Sequence, residues 1–174
     1  SCGRAAFRAR GVAMPVIAAK LEAMGLVLPK AVRPPPGITL PFRLVRVLGR
    51  SAYVSGHGPL NPDGTLAPPL GKVGRDLSVE QGYRAARLTA LAMLGSIERE
   101  LGDLDRVRAW ARVFGMVNSA TGFNQQSRVM NGFSDLILEL FGPDCGAHSR
   151  SSVGMAELPF DLPVEIEAEL EIEP

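Results

Sequence analysis

The sequence predicts an α+β fold with the order β-β-α-β-α-β-β, in which one mixed sheet carries two helices on one face. Three patterns lead there. Residues 164–172 alternate strictly between apolar Val164, Ile166, Ala168, Leu170 and Ile172 and acidic Glu165, Glu167, Glu169 and Glu171. Period two places every apolar group on one side of a strand. Two longer stretches, 78–101 and 122–141, repeat apolar residues three or four positions apart, as a helix with one buried face does. Residues 43–49 (RLVRVLG) and 51–56 (SAYVSG), separated only by Arg50, read as a tight hairpin.

The other elements follow in chain order. Residues 15–25 read as a short helix, with Pro15 at a first helical position and Gly25 as a stop. An extended connection follows, carrying Pro29, Pro34, Pro35, Pro36 and Pro41; three successive prolines exclude both helix and central strand. Residues 57–77 form a long Gly/Pro loop with Asn61-Pro62-Asp63-Gly64 as its turn signal. An irregular loop of that length in a compact domain often serves function. Ser78-Val79-Glu80-Gln81 is a capping box that opens the first long helix. Its buried stripe is Tyr83, Ala86, Leu91, Leu94, Ile97 and Leu101, and Gly102 ends it. Residues 106–117 read as a strand. The second helix carries the stripe Met130, Phe133, Ile137 and Leu140 and stops at Gly142-Pro143. Residues 149–157 and 164–172 are the last strands, joined by Leu158-Pro159-Phe160-Asp161.

Charge and composition narrow the partners. Four unpaired buried carboxylates would be prohibitive, so the acidic side of 164–172 must meet water or cations. Arg108 and Arg112 share a face of their strand and are placed to pair with those glutamates. That helix-free face is the natural place for subunits to meet. The chain has 174 residues, 46% hydrophobic and 21% charged, which suits one domain with a real core. Its net charge of +1 supplies no global field for nucleic acid or anionic lipid. The mean hydropathy of +0.11 points to apolar surface buried between subunits. Two cysteines, Cys2 and Cys145, and two histidines, His57 and His148, exclude a disulfide framework and a metal quartet. No apolar run approaches the length of a membrane span. Residues 1–13 are Arg-rich and free of acids, which fits a targeting peptide; because Met14-Pro15 looks like a natural start, they read instead as a tail or upstream sequence outside the fold. The domain then spans 14–174, with 15–25 as a helical extension, and a reducing cytoplasm is expected.

Several motifs in order resemble one family. The segment 150–168, RSSVGMAELPFDLPVEIEA, is similar to the C-terminal signature of the RidA/YjgF (reactive intermediate deaminase) family. Tyr53-Val54-Ser55-Gly56 resembles its second strand, Asn61-Pro62-Asp63-Gly64 its following loop, and 101–107 (LGDLDRV) its junction between first helix and third strand. Residues 71–78 (GKVGRDLS) and 115–119 (GMVNS) look like a longer branch of that family. The resemblance covers roughly residues 15–173. It implies a chorismate-mutase-like fold and a homotrimer whose sheets form a central barrel with three clefts between subunits. It implies hydrolysis of enamines and imines such as 2-aminoacrylate to a 2-keto acid and ammonia, with a small carboxylate metabolite as ligand and no metal or organic cofactor.

The resemblance also implies site residues. Arg150 matches the carboxylate-binding arginine, and a guanidinium offers the planar fork that lysine lacks; the plain alternative is a solvated arginine at a strand start. Glu165 matches the glutamate that handles the attacking water; the alternative is one more member of the acidic face. Asn131 falls where the family often has an asparagine, with a spacing to Arg150 about two residues longer than usual, and reads equally well as a surface helix residue. Ser152 stands where well-known members have cysteine and would offer mainly backbone groups to a ligand. Those members also carry a cleft tyrosine early in the chain; here 36–42 (PGITLPF) has none, and Phe42 or Phe133 is left to supply an aromatic wall. His57 replaces the usual glutamine, able to titrate near neutrality or simply to bond the loop. Lys72 could meet an anion or merely be solvated.

Three functions compete at this stage. The first is a trimeric imine or enamine hydrolase. The second is a non-catalytic metabolite-binding or regulatory module on the same trimer, favoured by the missing tyrosine. The third, an endoribonuclease or translation inhibitor, is disfavoured by the near-neutral charge and by a lack of basic stripes with interleaved aromatics.

Overall fold

The strictly alternating segment is the strand on which the sheet is built. A computed structural model of the chain describes residues 15–34 and 36–173; the expectations for 1–13 and Cys2 lie outside them. The sheet has five strands: β1 (Val45–Leu48), β2 (Ser51–His57), β3 (Val107–Asn118), β4 (Ser149–Met155) and β5 (Val164–Ile172). Their spatial order is β1-β2-β5-β3-β4, so the last strand lies in the middle. All five apolar residues of β5 are buried, while Glu167, Glu169 and Glu171 are exposed and Glu165 is half-buried. Three pairs are antiparallel and β3–β4 is parallel. A parallel pair needs a crossover connection. Here it is a helix, α3 (Gln126–Cys145).

The other helices are α1 (Val16–Ala23) and α2 (Val79–Leu101). α2 and α3 lie side by side on one face, α2 over β5, β2 and β1, and α3 over β3 and β4. The capping box forms as expected. Gln81 N–H donates to Ser78 Oγ (3.2 Å) and Ser78 N–H donates to Gln81 Oε1 (2.8 Å). Gly102 closes α2 in the left-handed conformation, φ +79°. Leu48 pairs with Ser51, so the hairpin turn is Gly49-Arg50. The core between helices and sheet centres on Trp110, which meets Phe133 and Phe141 edge-on at 5.7 and 5.6 Å.

Three expectations are corrected. α3 starts at Gln126, four residues later than 122, because 121–122 form a turn and Gln125 makes no side-chain cap. The helix is interrupted at Gly142 (φ +77°), where a stop was expected, yet one more turn follows to Cys145. β4 ends at Met155 rather than 157 because its one partner among the described residues, β3, ends at the facing Asn118. The arginines also divide. Arg112 approaches Glu169 at 3.7 Å, but Arg108 pairs with Glu173, beyond the alternating set. Such half-exposed pairs add little stability.

The long loop is pinned rather than free. Val73 bridges both Leu77 and Ser119. Lys72 Nζ donates to Asn118 Oδ1 (2.8 Å) and to the Ala156 carbonyl, and lies 3.2 Å from Glu157. Lys72 is therefore neither a solvated lysine nor an open anion site; it ties the loop to the ends of β3 and β4.

α2 and α3 approach so closely that one position admits no side chain. A Cβ on Gly132 would lie 2.0 Å from the Tyr83 carbonyl oxygen. Glycine to alanine inside a helix normally stabilises by about 1 kcal/mol. Here the backbone clash reverses the sign, and Gly132→Ala is expected to destabilise the fold by about 1–3 kcal/mol or more. Urea unfolding checks this; an unchanged or raised midpoint would refute the close packing.

Candidate functional site

Alternation decides where each candidate side chain points. Arg150 lies on edge strand β4, level with Val113, whose side chain is fully buried beneath the helices. Its guanidinium accordingly turns toward α3. Nη1 donates to Ser134 Oγ (2.8 Å), and Nη2 donates to Asn131 Oδ1 (3.1 Å) and to the Ser127 carbonyl (3.3 Å). The structure thus brings Arg150 and Asn131 together. A guanidinium has five N–H donors, so these bonds leave donors over for a carboxylate.

A chain of hydrogen bonds stands behind that arginine. His148 Nδ1–H donates to the Gly146 carbonyl (2.7 Å), which leaves Nε2 to accept from the Ser134 hydroxyl (2.9 Å). Ser134 Oγ can then accept from Arg150. Burial lowers the His148 pKa, and the Arg150 charge lowers it further, which keeps the ring neutral as this arrangement requires. Ser134 and His148 were missed by sequence reasoning. The available signal was helical spacing, since Ser134 stands three residues after Asn131 and so shares its face. Ser152 also faces α3, and its Oγ is buried without a hydrogen-bond partner. Phe133, expected as an aromatic wall, is fully buried among Trp110, His148 and the rest of the core and offers no surface to a ligand.

Glu165 lies on the other side of the sheet. It is level with Met116 on β3, three residues along from Val113 and two strands across from β4. Strand geometry separates the two backbones by roughly 14 Å, and the two side chains leave opposite faces. The carboxylate lies across β2 at Gly56, where a Cβ would fall 2.0 Å from Glu165 Oε1. Only glycine leaves room there. Burial raises the Glu165 pKa above its ordinary 4.5, and the neighbouring Glu167 adds to the shift.

Glu165 forms part of the wall of a cavity of about 370 Å³. The rest is largely apolar: Ile38, Leu40 and Phe42 come from the proline-rich connection, Leu60 and Leu66 from the long loop, and Leu162 from the approach to β5. His57 contributes its ring but no free nitrogen. Its Nδ1–H donates to the Ser55 carbonyl (2.6 Å), and its Nε2 accepts from Ser96, which also receives Arg99 (2.9 and 3.1 Å). Burial lowers its pKa and holds it neutral. His57 is thus a structural bridge between β2 and α2. Phe42 does reach the cavity, and no tyrosine lines it. Among the described residues no group of three or more His, Cys, Asp or Glu is placed to hold a metal ion, and no helix is long and apolar enough to cross a membrane.

This fold is found in known proteins. Residues 18–163 match the family described as "YjgF/chorismate_mutase-like, putative endoribonuclease". Protein TCP17 of Trypanosoma cruzi is 39% identical over 156 residues, covering 90% of this chain and 94% of that one. The crystal structure of Atu1372 from Agrobacterium tumefaciens, a protein of unknown function, superposes with a TM-score of 0.80 at 37% identity, over 91% of this chain and 93% of that one. A Shewanella oneidensis structure described as a "putative endoribonuclease" gives 0.81 at 28% identity, over 90% and 99%. By sequence and by fold, the chain belongs to the YjgF/chorismate mutase-like family.

Proposed function

We propose that the chain is a hydrolase of reactive imines and enamines bearing a carboxylate, working at clefts between the subunits of a homotrimer. The carrying observation is the separation of Arg150 and Glu165 on opposite faces of one sheet. One small ligand cannot span both within a chain, so a site using both takes Arg150 from one copy and Glu165 from its neighbour. An edge strand carrying Arg150 and a helix-free face carrying Glu165 are suited to meet in a head-to-tail ring.

The chemistry follows from the two groups. Arg150 holds the substrate carboxylate in its planar fork, with Asn131 and Ser134 fixing the guanidinium. An enamine first takes a proton from water on carbon and returns one to water from nitrogen, which makes it the imine. Glu165, with a raised pKa, accepts a proton from water as the water oxygen bonds to the imine carbon and the C=N pair moves to nitrogen. It returns the proton to that nitrogen. The hydroxyl proton of the adduct then passes to the nitrogen by way of Glu165, the C–N bond breaks with its electron pair on nitrogen, the O–H pair closes the carbonyl, and a 2-keto acid and ammonia leave. No cofactor enters this balance.

The second reading is a metabolite-binding module without turnover. It draws on the absence of tyrosine from the cavity lining and on the three bonds that already engage Arg150. The word endoribonuclease attaches to relatives; in this chain a net charge of +1 gives little drive toward a polyanion.

Turnover is read as ammonia released from enzymatically generated 2-aminoacrylate or 2-iminobutyrate. Arg150→Ala is expected to lower kcat/KM about 10–100-fold, the worth of a charged hydrogen-bond pair. Glu165→Gln is expected to lower kcat about 10²–10⁴-fold. The two impaired variants, refolded together in equal amounts, should recover about one quarter of wild-type activity, the share of sites in a random ring that carry both intact residues. No recovery would place both residues in a site within one chain. Keto-acid binding without ammonia release would favour the module instead.

Glu165 also predicts a pH effect on stability. Its folded pKa lies above 4.5, so its contribution to folding is full below that value and is lost as pH rises through the raised one. Glu165→Gln should therefore raise the melting temperature at pH 8 and give no gain at pH 4. A gain of equal size at both would refute the burial of this charge.

A further inference from the structure

We infer that the cavity beside Glu165 selects carboxylate substrates with a bulky apolar side chain, of leucine or phenylalanine size, over those as small as 2-aminoacrylate. This rests on the imine-hydrolase reading proposed above and names its substrate class. The cavity volume of about 370 Å³ falls in the range of small-molecule sites. A single methylene would leave most of it unfilled.

The lining chooses the chemistry of the occupant. Among the described residues Glu165 is its sole charged group, Thr39 adds a hydroxyl, and both His57 nitrogens are already bonded within the protein. A polar side chain entering here would give up water and find few partners. An apolar one gains affinity with each methylene buried, by roughly fourfold.

The wall is also held in a costly conformation. Phe160 and Asp161 are the non-glycine residues with positive φ among those described, at +57° and +56°. L side chains avoid that region unless the surroundings enforce it, and such residues gather at binding sites. The Gly71 N–H donates to the Asp161 carbonyl (2.7 Å) and ties this turn to the long loop. The result keeps the half-exposed Phe160 ring on the cavity rim, beside Ile38, Leu40 and Phe42, which are 44, 39 and 54% exposed. A rim of large apolar side chains around a hollow with one carboxyl at its wall fits a ligand with an apolar tail and a reacting carbon near that carboxyl.

The test uses imines generated in situ from alanine, 2-aminobutyrate, leucine, methionine and phenylalanine by an L-amino-acid oxidase, with loss of imine followed by semicarbazide trapping. The full-length protein is expected to show a kcat/KM for the leucine imine about tenfold or more above that for the alanine imine. Leu40→Trp, on the partly exposed rim, fills the hollow and should lower that leucine-to-alanine ratio about tenfold. A flat or falling series, or an unchanged ratio in Leu40→Trp, overturns the inference. If the wild type turns over no imine at all, the hydrolase reading fails, and the cavity is then judged by calorimetry with product analogues. Binding of 4-methyl-2-oxopentanoate or phenylpyruvate about tenfold tighter than pyruvate, weakened by Leu40→Trp, supports the selection. Equal binding, or none, overturns it.

Discussion

The two-residue period of β5 is the constraint from which the rest follows. A strand whose apolar and acidic residues alternate without a break cannot be buried on both sides. One side must meet a helix layer and the other must stay open. Because β5 sits in the middle of the sheet, it imposes this division on β2 and β3 beside it, and through β3 on β4. α2 and α3 take the apolar side. The open side is left with the glutamates and a row of arginine partners.

The division explains how the candidate residues are arranged. Arg150 stands on β4 in register with a core residue of β3, so it turns toward α3 and is fixed there by Asn131, Ser134 and the Ser127 carbonyl. Glu165 belongs to the acidic set, but it alone is half-buried, because Gly56 lets its carboxylate lie over β2. Desolvation then raises its pKa. A pattern that builds the fold also separates two groups that one reaction would need. In a protein that meets itself around a ring, such separation becomes an arrangement across the interface.

Features carried by local spacing were readable in the sequence. The boundaries of β5, the capping box at Ser78, the close of α2 at Gly102 and the hairpin around Arg50 depend on neighbours in sequence, and each was found where the residues indicated. Features set by three-dimensional proximity were not. Phe133 has the same helical spacing as a residue lining a cleft, and only its packing on Trp110 shows it to be core. His57 has the chemistry of a catalyst, but Ser96 from α2 and the Ser55 carbonyl occupy both nitrogens. Lys72 looked solvated because its partners, Asn118 and Ala156, stand 46 and 84 residues away. The proline-rich connection carries no period at all, so nothing in it announced that Ile38, Leu40 and Phe42 wall the Glu165 cavity.

The central claim is that Arg150 and Glu165 act on one ligand from two copies of the chain. A crystal structure of the protein with a bound 2-keto acid tests it most directly. The account predicts the ligand carboxylate on Arg150 of one subunit and its carbonyl carbon facing Glu165 of the next. A keto acid held by Arg150 and Glu165 of the same chain, or bound away from both, would contradict it.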